Sequence, residues 1–238
     1  MTPNDKATAE AYYEGGMRAF DSKDVRNALA LFLSAARLGH ADAQFRVGVF
    51  FYHGIVVKKD DIEALKWFRK AALQDHPAAM SELGIMYAEG KKTQRSPAKA
   101  YEWTRKAAEA GHPQAICNLA SFYERGIGVE QNFTIAVRLY ERAADMKVPQ
   151  ACYELSHLCY KGLGTKEDHE RSARLCRKAA DLGHREAVFG TGLIYHEGDG
   201  VEKDEEVALR YFKLALNMGI PEAKKYITEI ESTQGIRA

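Results

Sequence analysis

Between residues 39 and 223 the chain repeats itself every 36 residues, with no insertion or deletion. Gly39, Gly111, Gly183 and Gly219 keep the step, and Asp75 and Lys147 fill the two remaining places. Alanine recurs at Ala43, Ala79, Ala115, Ala151, Ala187 and Ala223, and again at Ala71, Ala107, Ala143, Ala179 and Ala215. Glycine recurs at Gly54, Gly90, Gly126, Gly162 and Gly198. A period of this length leaves few folds open. Each unit must be one supersecondary element that buries its apolar face against the next copy.

Each unit reads as two helices. Helix A of the first full unit spans about 41–53. Its inner stripe is Ala43, Val47, Gly48 and Phe51, at helical spacing. The glycine at 54, 90, 126, 162 or 198 stands where a helix closes in a left-handed cap. Asp60, Ser96, Asn132, Asp168 and Asp204 mark the start of helix B, because their side-chain oxygens can accept from free N–H groups of the first turn. Glu63 follows Asp60 at capping-box spacing. Helix B then buries Ala64, Trp67, Phe68, Ala71 and Ala72. Pro77, Pro113, Pro149 and Pro221 suit the first position of the next helix A. Residues 7–39 form a variant unit whose interhelix loop is four residues shorter, since Gly16 and Ala28 lie 12 apart where Gly48 and Ala64 lie 16 apart. Pro221 to about Ser232 reads as a further helix A with a polar face, suited to closing the array.

Composition excludes several classes of function. Formal net charge is +1, with 28% charged residues, which gives no reason to expect nucleic acid or an anionic membrane surface as partner. The N-terminus shows no signal-peptide pattern and no stretch is long enough to span a membrane, so a cytoplasmic location is expected. Cys117, Cys152, Cys159 and Cys176 form no Cys-x-x-Cys pair and are expected to be reduced and partly buried. The sequence holds no zincin, nucleophile-elbow, phosphate-loop or dinucleotide motif, so neither an enzyme nor a cofactor is expected. His40, His76, His112 and His184 recur at one place in the unit. Equivalent places on packed helices lie ~8–10 Å apart or more, too far for one zinc with nitrogen ligands at ~2.1 Å. These histidines read as punctuation between helix pairs, and no metal is expected.

The repeated order Ala79, Leu83, Gly84, Tyr87, Gly90, Ala100, Trp103, Ala107, Ala108, Gly111-His112 resembles the Sel1-like repeat of the tetratricopeptide-like superfamily. Val56 and Lys92 depart from it by replacing a loop glycine, Thr191 by replacing the helix A leucine, and Cys159 by replacing the tyrosine. The resemblance implies an all-α fold: an α/α solenoid, a right-handed superhelix of stacked antiparallel helix pairs, with about 13 helices and no strands. It divides one domain, 1–238, into a tetratricopeptide-like first unit (1–39), five Sel1-like repeats (40–219) and a capping helix with tail (220–238). It implies a non-catalytic bacterial scaffold or adaptor that binds a protein or peptide. An immunity protein that neutralises a toxin or enzyme is the alternative, and an enzyme a remoter one. The sequence names neither the partner nor the oligomeric state.

In related repeats the A helices line the concave side. Here a second stripe on helix A faces away from Ala43 at ~100° per residue. It carries Phe45, Val49 and Tyr52, then Ser81, Ile85 and Ala88, then Cys117, Ser121 and Glu124, then Tyr153, His157 and Tyr160, and last Phe189, Leu193 and His196. Neighbouring Arg46, Glu82, Asn118, Arg125, Glu154 and Lys161 offer charge and hydrogen bonds. Tyr52, Tyr153, Tyr160 and His196 are expected to be exposed, whereas Phe45 and Phe189 stand open between the groove and packing within the repeat. A basic cluster, Lys91, Lys92, Arg95 and Lys99, surrounds one loop and reads as a solvated surface.

Overall fold

The computed structural model describes residues 2–90 and 94–233. Lys91 and Lys92 of the basic cluster lie outside them, as does the loop substitution at Lys92. Among the described residues there are thirteen helices and no strand: α1 (Pro3–Asp21), α2 (Val25–Arg37), α3 (Ala41–His53), α4 (Asp61–Ala72), α5 (Pro77–Glu89), α6 (Pro97–Glu109), α7 (Pro113–Arg125), α8 (Phe133–Asp145), α9 (Pro149–Lys161), α10 (His169–Asp181), α11 (Arg185–Glu197), α12 (Glu205–Asn217) and α13 (Ala223–Thr233). The fold is an α/α solenoid of helix pairs. It divides into two compact units, Met1–Leu119 with Ile127–Val129, and Ala120–Gly126 with Glu130–Ala238.

In the first unit each helix from α1 to α6 packs on the next. The core there joins Ala28, Phe32 and Ala35 of α2 to Ala43, Val47 and Phe50 of α3. In the second unit the same chain of packing runs from α8 to α13. Short loops return each helix beside its predecessor, which makes neighbours antiparallel.

The repeat is held by three local devices. Asp60, Ser96, Asn132, Asp168 and Asp204 each cap helix B with the side chain, as the sequence predicts. Glu63 does not complete a capping box: it pairs with Lys66 one turn on, and Asp60 alone accepts from Ile62 and Glu63. Each capping residue also donates its own N–H back to helix A. The acceptors are the carbonyls of Phe51, Tyr87, Tyr123, Cys159 and Tyr195, at 2.8–3.0 Å. This bond pins the interhelix loop, and no residue type announces it.

A third device sits at the end of helix B. The His40 N–H donates to the Ala35 carbonyl and the Gly39 N–H to that of Ala36, which is a Schellman closure. The same bonds recur at 111–112 and 183–184. Asp75 and Lys147 adopt the left-handed backbone in the places of the missing glycines, at φ 59° and 60°. At the far end α13 begins at Ala223, so Pro221 precedes the helix by two residues rather than opening it.

One packing pair shapes the space beneath helix A. In three units a helix A glycine lies under a helix B aromatic ring: Gly16 under Phe32, Gly48 under Phe68, and Gly192 under Phe212. All three rings are fully buried. In the repeat at 149–184 the same two places hold Ser156 and Cys176.

Candidate functional site

The recurrent histidines are helix caps. The Nδ1 atoms of His40, His76, His112 and His184 accept from the N–H groups of Ala43, Ala79, Ala115 and Ala187, at 3.2–3.3 Å. An accepting Nδ1 places the proton on Nε2. That Nε2 faces Glu10 from His40 (3.1 Å), Asp42 from His76 (3.4 Å) and Gln150 from His184 (2.8 Å). Three of the rings also stack on a helix A aromatic: His40 on Tyr13, His76 on Phe45 and His184 on Tyr153, with centroids 4.4–4.8 Å apart. One residue therefore closes helix B, starts the next helix A and packs against the preceding one. Burial holds the His112 and His184 side chains below the ordinary imidazole pKa.

A groove of about 660 Å³ opens in the second unit between α9, α10, α11 and the turn at 219–222. Tyr153, His157 and Tyr160 of α9 line it, with Cys176 of α10 and Phe189, Gly190 and Leu193 of α11. These include most of the C-terminal part of the stripe drawn from the sequence. Two substitutions give the groove its depth. Cys176 stands where four other units hold Phe32, Phe68, Tyr140 and Phe212, so no ring fills the space beneath Tyr153. Gly190 stands where earlier repeats carry Arg46, Glu82, Asn118 and Glu154. A Cβ at Gly190 would approach the Cys176 Sγ at 3.2 Å.

The groove walls are aromatic and its rim is acidic. Tyr160 is 44% exposed, and its ring packs on that of His169 at 4.6 Å. His169 bonds through Nδ1 to Asp199 (2.5 Å) and through Nε2 to Glu167 (3.0 Å). Those bonds, Asp199 foremost, raise the imidazole pKa. The charge on Asp199 chiefly raises the Tyr160 phenol, and burial chiefly raises that of Tyr153. Burial also pushes up the Cys176 thiol, which holds it in the protonated, weakly nucleophilic form. All four cysteines are reduced and buried.

The structure places the other candidate residues differently. Cys117 is buried, 3% exposed, and is not part of an open surface. The stripe argument counts only helix A's own periodicity, and this position is covered by neighbouring helices. His196 is half-buried, bonds to Glu205 at 2.8 Å and meets Phe212 and Tyr226 edge-on, so it lies outside the groove. Tyr52 is half-buried against Phe68, with Lys59 over its ring. Phe45 and Phe189 are each half-buried against a helix B ring, Phe68 and Phe212, and Phe189 still lines the groove. Arg46, Val49, Glu82 and Ile85 are half-buried in the first unit. Asn118 accepts from Gln114 on its own helix. Ser121 is half-buried and Arg125 exposed. Glu154 bonds to Gln150, which ties it to the helix surface rather than to the groove.

Among the described residues no three His, Cys, Asp or Glu side chains stand close enough to hold a metal ion, and no helix is long and apolar enough to cross a membrane.

Comparison with known proteins identifies the class. The model of the Sel1 repeat matches six consecutive segments, residues 7–40, 41–76, 77–112, 113–148, 149–184 and 185–220. The chain belongs to the Sel1 repeat family. The first match takes in the segment that the sequence likens to a tetratricopeptide unit. Proteins of this family generally serve as non-catalytic scaffolds for protein interaction. A Sel1 repeat protein from Oxalobacter formigenes is similar at 31% identity and a TM-score of 0.83, over 90% of this chain and 88% of that one. A protective antigen of uropathogenic Escherichia coli with the same fold is similar at 29% identity and a TM-score of 0.84, over 95% of this chain. The chain spans half the length of that antigen. An immunity protein of Pseudomonas aeruginosa shares the fold at 20% identity and a TM-score of 0.58, over 91% of this chain and 83% of that one. No curated protein sequence matches the chain.

Proposed function

We propose that the protein is a non-catalytic scaffold that binds a partner protein or peptide in the groove between α9, α10 and α11. The observation that carries this reading is the replacement of a core ring by Cys176 beneath Tyr153. It leaves a recess beneath Tyr153, inside a groove of about 660 Å³ and beside the exposed Tyr160. That volume falls within the ~300–1,000 Å³ of ordinary ligand sites, and rigid aromatic walls are the usual anchors of protein recognition. The one thiol of the groove is buried and its pKa is raised, which disfavours it as a nucleophile. Affinity capture with mass spectrometry, run with the wild type and with Tyr153→Ala/Tyr160→Ala, tests the reading. A partner held by the wild type should be lost by the pair, and capture unchanged by the pair would argue against this groove.

An immunity or inhibitor role is the second reading. It is supported by the fold shared with an immunity protein and by a recess able to receive a projecting side chain. Rescue of cells from a co-expressed toxin, abolished by the same pair of substitutions, would favour it over a general adaptor.

A further inference from the structure

The charge around the groove is lopsided in a way the whole chain is not. Four carboxylates line it, Glu186, Glu197, Asp199 and Glu222, against the Arg185 guanidinium and the His169 imidazole, whose pKa is raised. Arg185 is already engaged, with Nε and Nη2 at 3.3 and 3.1 Å from Glu186. Asp199 is engaged with His169. Glu197 and Glu222 are exposed, and among the described residues neither makes an ion pair. The net charge of the chain is +1, so this negative excess is local.

From these observations we infer that the occupant of the groove is an extended partner segment in which a large apolar residue is flanked by lysine or arginine. This rests on the reading of the groove as a partner site and adds the chemistry of what enters it. The apolar residue sits over Phe189 and Leu193, in the recess that Cys176 leaves open. The flanking cation reaches Glu197 or Glu222 at the rim, where its bond is charge-assisted. The rings of Tyr153 and Tyr160 add a negative π-face for the same cation. An acidic segment or a nucleic-acid strand meets like charge at Glu197 and Glu222 and is disfavoured.

A random dodecamer peptide library displayed on phage, panned against the full chain, tests the inference. Recovered peptides should be enriched in lysine or arginine next to aromatic or large aliphatic residues. One recovered peptide is then synthesised with a fluorescent label. Its affinity is measured by anisotropy for the wild type, Glu197→Gln/Glu222→Gln and Leu193→Ser, with circular dichroism confirming that each variant folds. Neutralising both carboxylates should weaken binding about three- to tenfold, the order expected of two exposed charge pairs, and the loss should shrink at high salt. Leu193→Ser should weaken it further. Peptides lost with Leu193→Ser but indifferent to the glutamate pair would leave the groove standing and overturn the charge inference. Enrichment of acidic or uncharged peptides would do the same. No enrichment, or binding indifferent to all the variants, would overturn both.

Discussion

Gly192 lies so close beneath the Phe212 ring that a Cβ on it would stand 2.7 Å from Cε1. One repeat earlier the equivalent residues are Ser156 and Cys176, and the groove opens there. At this repeat the small pair stands where the others carry a ring, and the groove opens above it. Ser156→Gly/Cys176→Phe should restore the filled arrangement. Because it copies a packing the chain already uses at Gly16–Phe32 and Gly48–Phe68, the variant should fold with stability within about 1–2 kcal/mol of the wild type. Its affinity for groove-binding peptides should fall about tenfold or more, as expected when an anchor pocket is occupied. Thermal denaturation and peptide anisotropy check both statements, and undiminished binding by the pair would sink the assignment of the recess to Cys176.

The junction histidines make stability depend on mildly acidic pH. Burial lowers the folded-state pKa of His112 and His184 below 6.5; a charge on His76 adds to this at His112, while Glu186 and Glu154 partly oppose it at His184. Below pH ~6.5 the unfolded chain then binds more protons than the folded one, so stability is full above that pH and is lost as pH falls toward the lower folded value. Protonation also removes the Nδ1 acceptor that caps α7 or α11. His169 has the opposite sign. Its raised pKa contributes stability that is present below ~6.5 and is lost as pH rises through the raised value. The comparison that isolates the caps is the wild type against His112→Asn/His184→Asn, since asparagine caps without titrating. The drop in melting temperature between pH about 7.5 and about 5.5 should be smaller in the variant. An equal drop would mean that the caps do not carry the effect.

Much of this architecture was legible in the sequence because it is local. Asp60, Ser96, Asn132, Asp168 and Asp204 signal helix starts by side-chain type alone, and Gly54 and its counterparts signal helix ends by backbone freedom. Tyr153, His157, Tyr160, Phe189 and Leu193 were legible as one stripe because helical periodicity puts them on one face. What the stripe could not supply was depth. That depends on which helix B residue packs beneath each helix A, a contact between residues about 20 apart. The signal was present nonetheless: Phe32, Phe68, Thr104, Tyr140, Cys176 and Phe212 occupy one position, and the two small members are readable once the Gly-under-ring contact is known. The covering of Cys117 and of His196 is not legible for the same reason, because periodicity on one helix is blind to the helices packed on it. The capping role of His40, His76, His112 and His184 is not legible by residue type, because histidine is not among the usual capping residues.

The left-handed positions divide into open and crowded ones. Gly183 has nothing within 4 Å of a hypothetical Cβ, whereas a Cβ on Gly164 would sit 2.3 Å from the Phe133 carbonyl carbon. Gly183→Ala should therefore cost only the backbone strain, ~1–2 kcal/mol. Gly164→Ala should cost clearly more, because the helix start at α8 must shift. Conversely, Val56 at φ 54° and Lys147 at φ 60° already bear that strain. Val56→Gly and Lys147→Gly should each stabilise by ~0.5–1 kcal/mol, the strain relieved exceeding the extra unfolded-state entropy of glycine. Urea unfolding midpoints at constant slope check the order of all four.

Thr104 is the other small residue at the ring position, and it behaves differently from Cys176. Its side chain is fully buried, and its Oγ1 has no hydrogen-bond partner among the described residues. Gly84 lies against it, and a Cβ there would stand 2.1 Å from that oxygen. Here the small side chain is closed over by its neighbours instead of opening to solvent, so the hydroxyl gives up its water and receives nothing in return. A buried hydroxyl left without a partner costs about 1–3 kcal/mol. Thr104→Val keeps the branched shape and removes the polar atom, so it should raise stability by about 1 kcal/mol. Thr104→Ser keeps the polar atom and removes a methyl, so it should lower stability by about 1 kcal/mol. Both changes are read from chemical denaturation of the full chain. A valine variant less stable than the wild type would show that the hydroxyl is bonded, and that the polar residue is retained here for its hydrogen bond rather than for its volume.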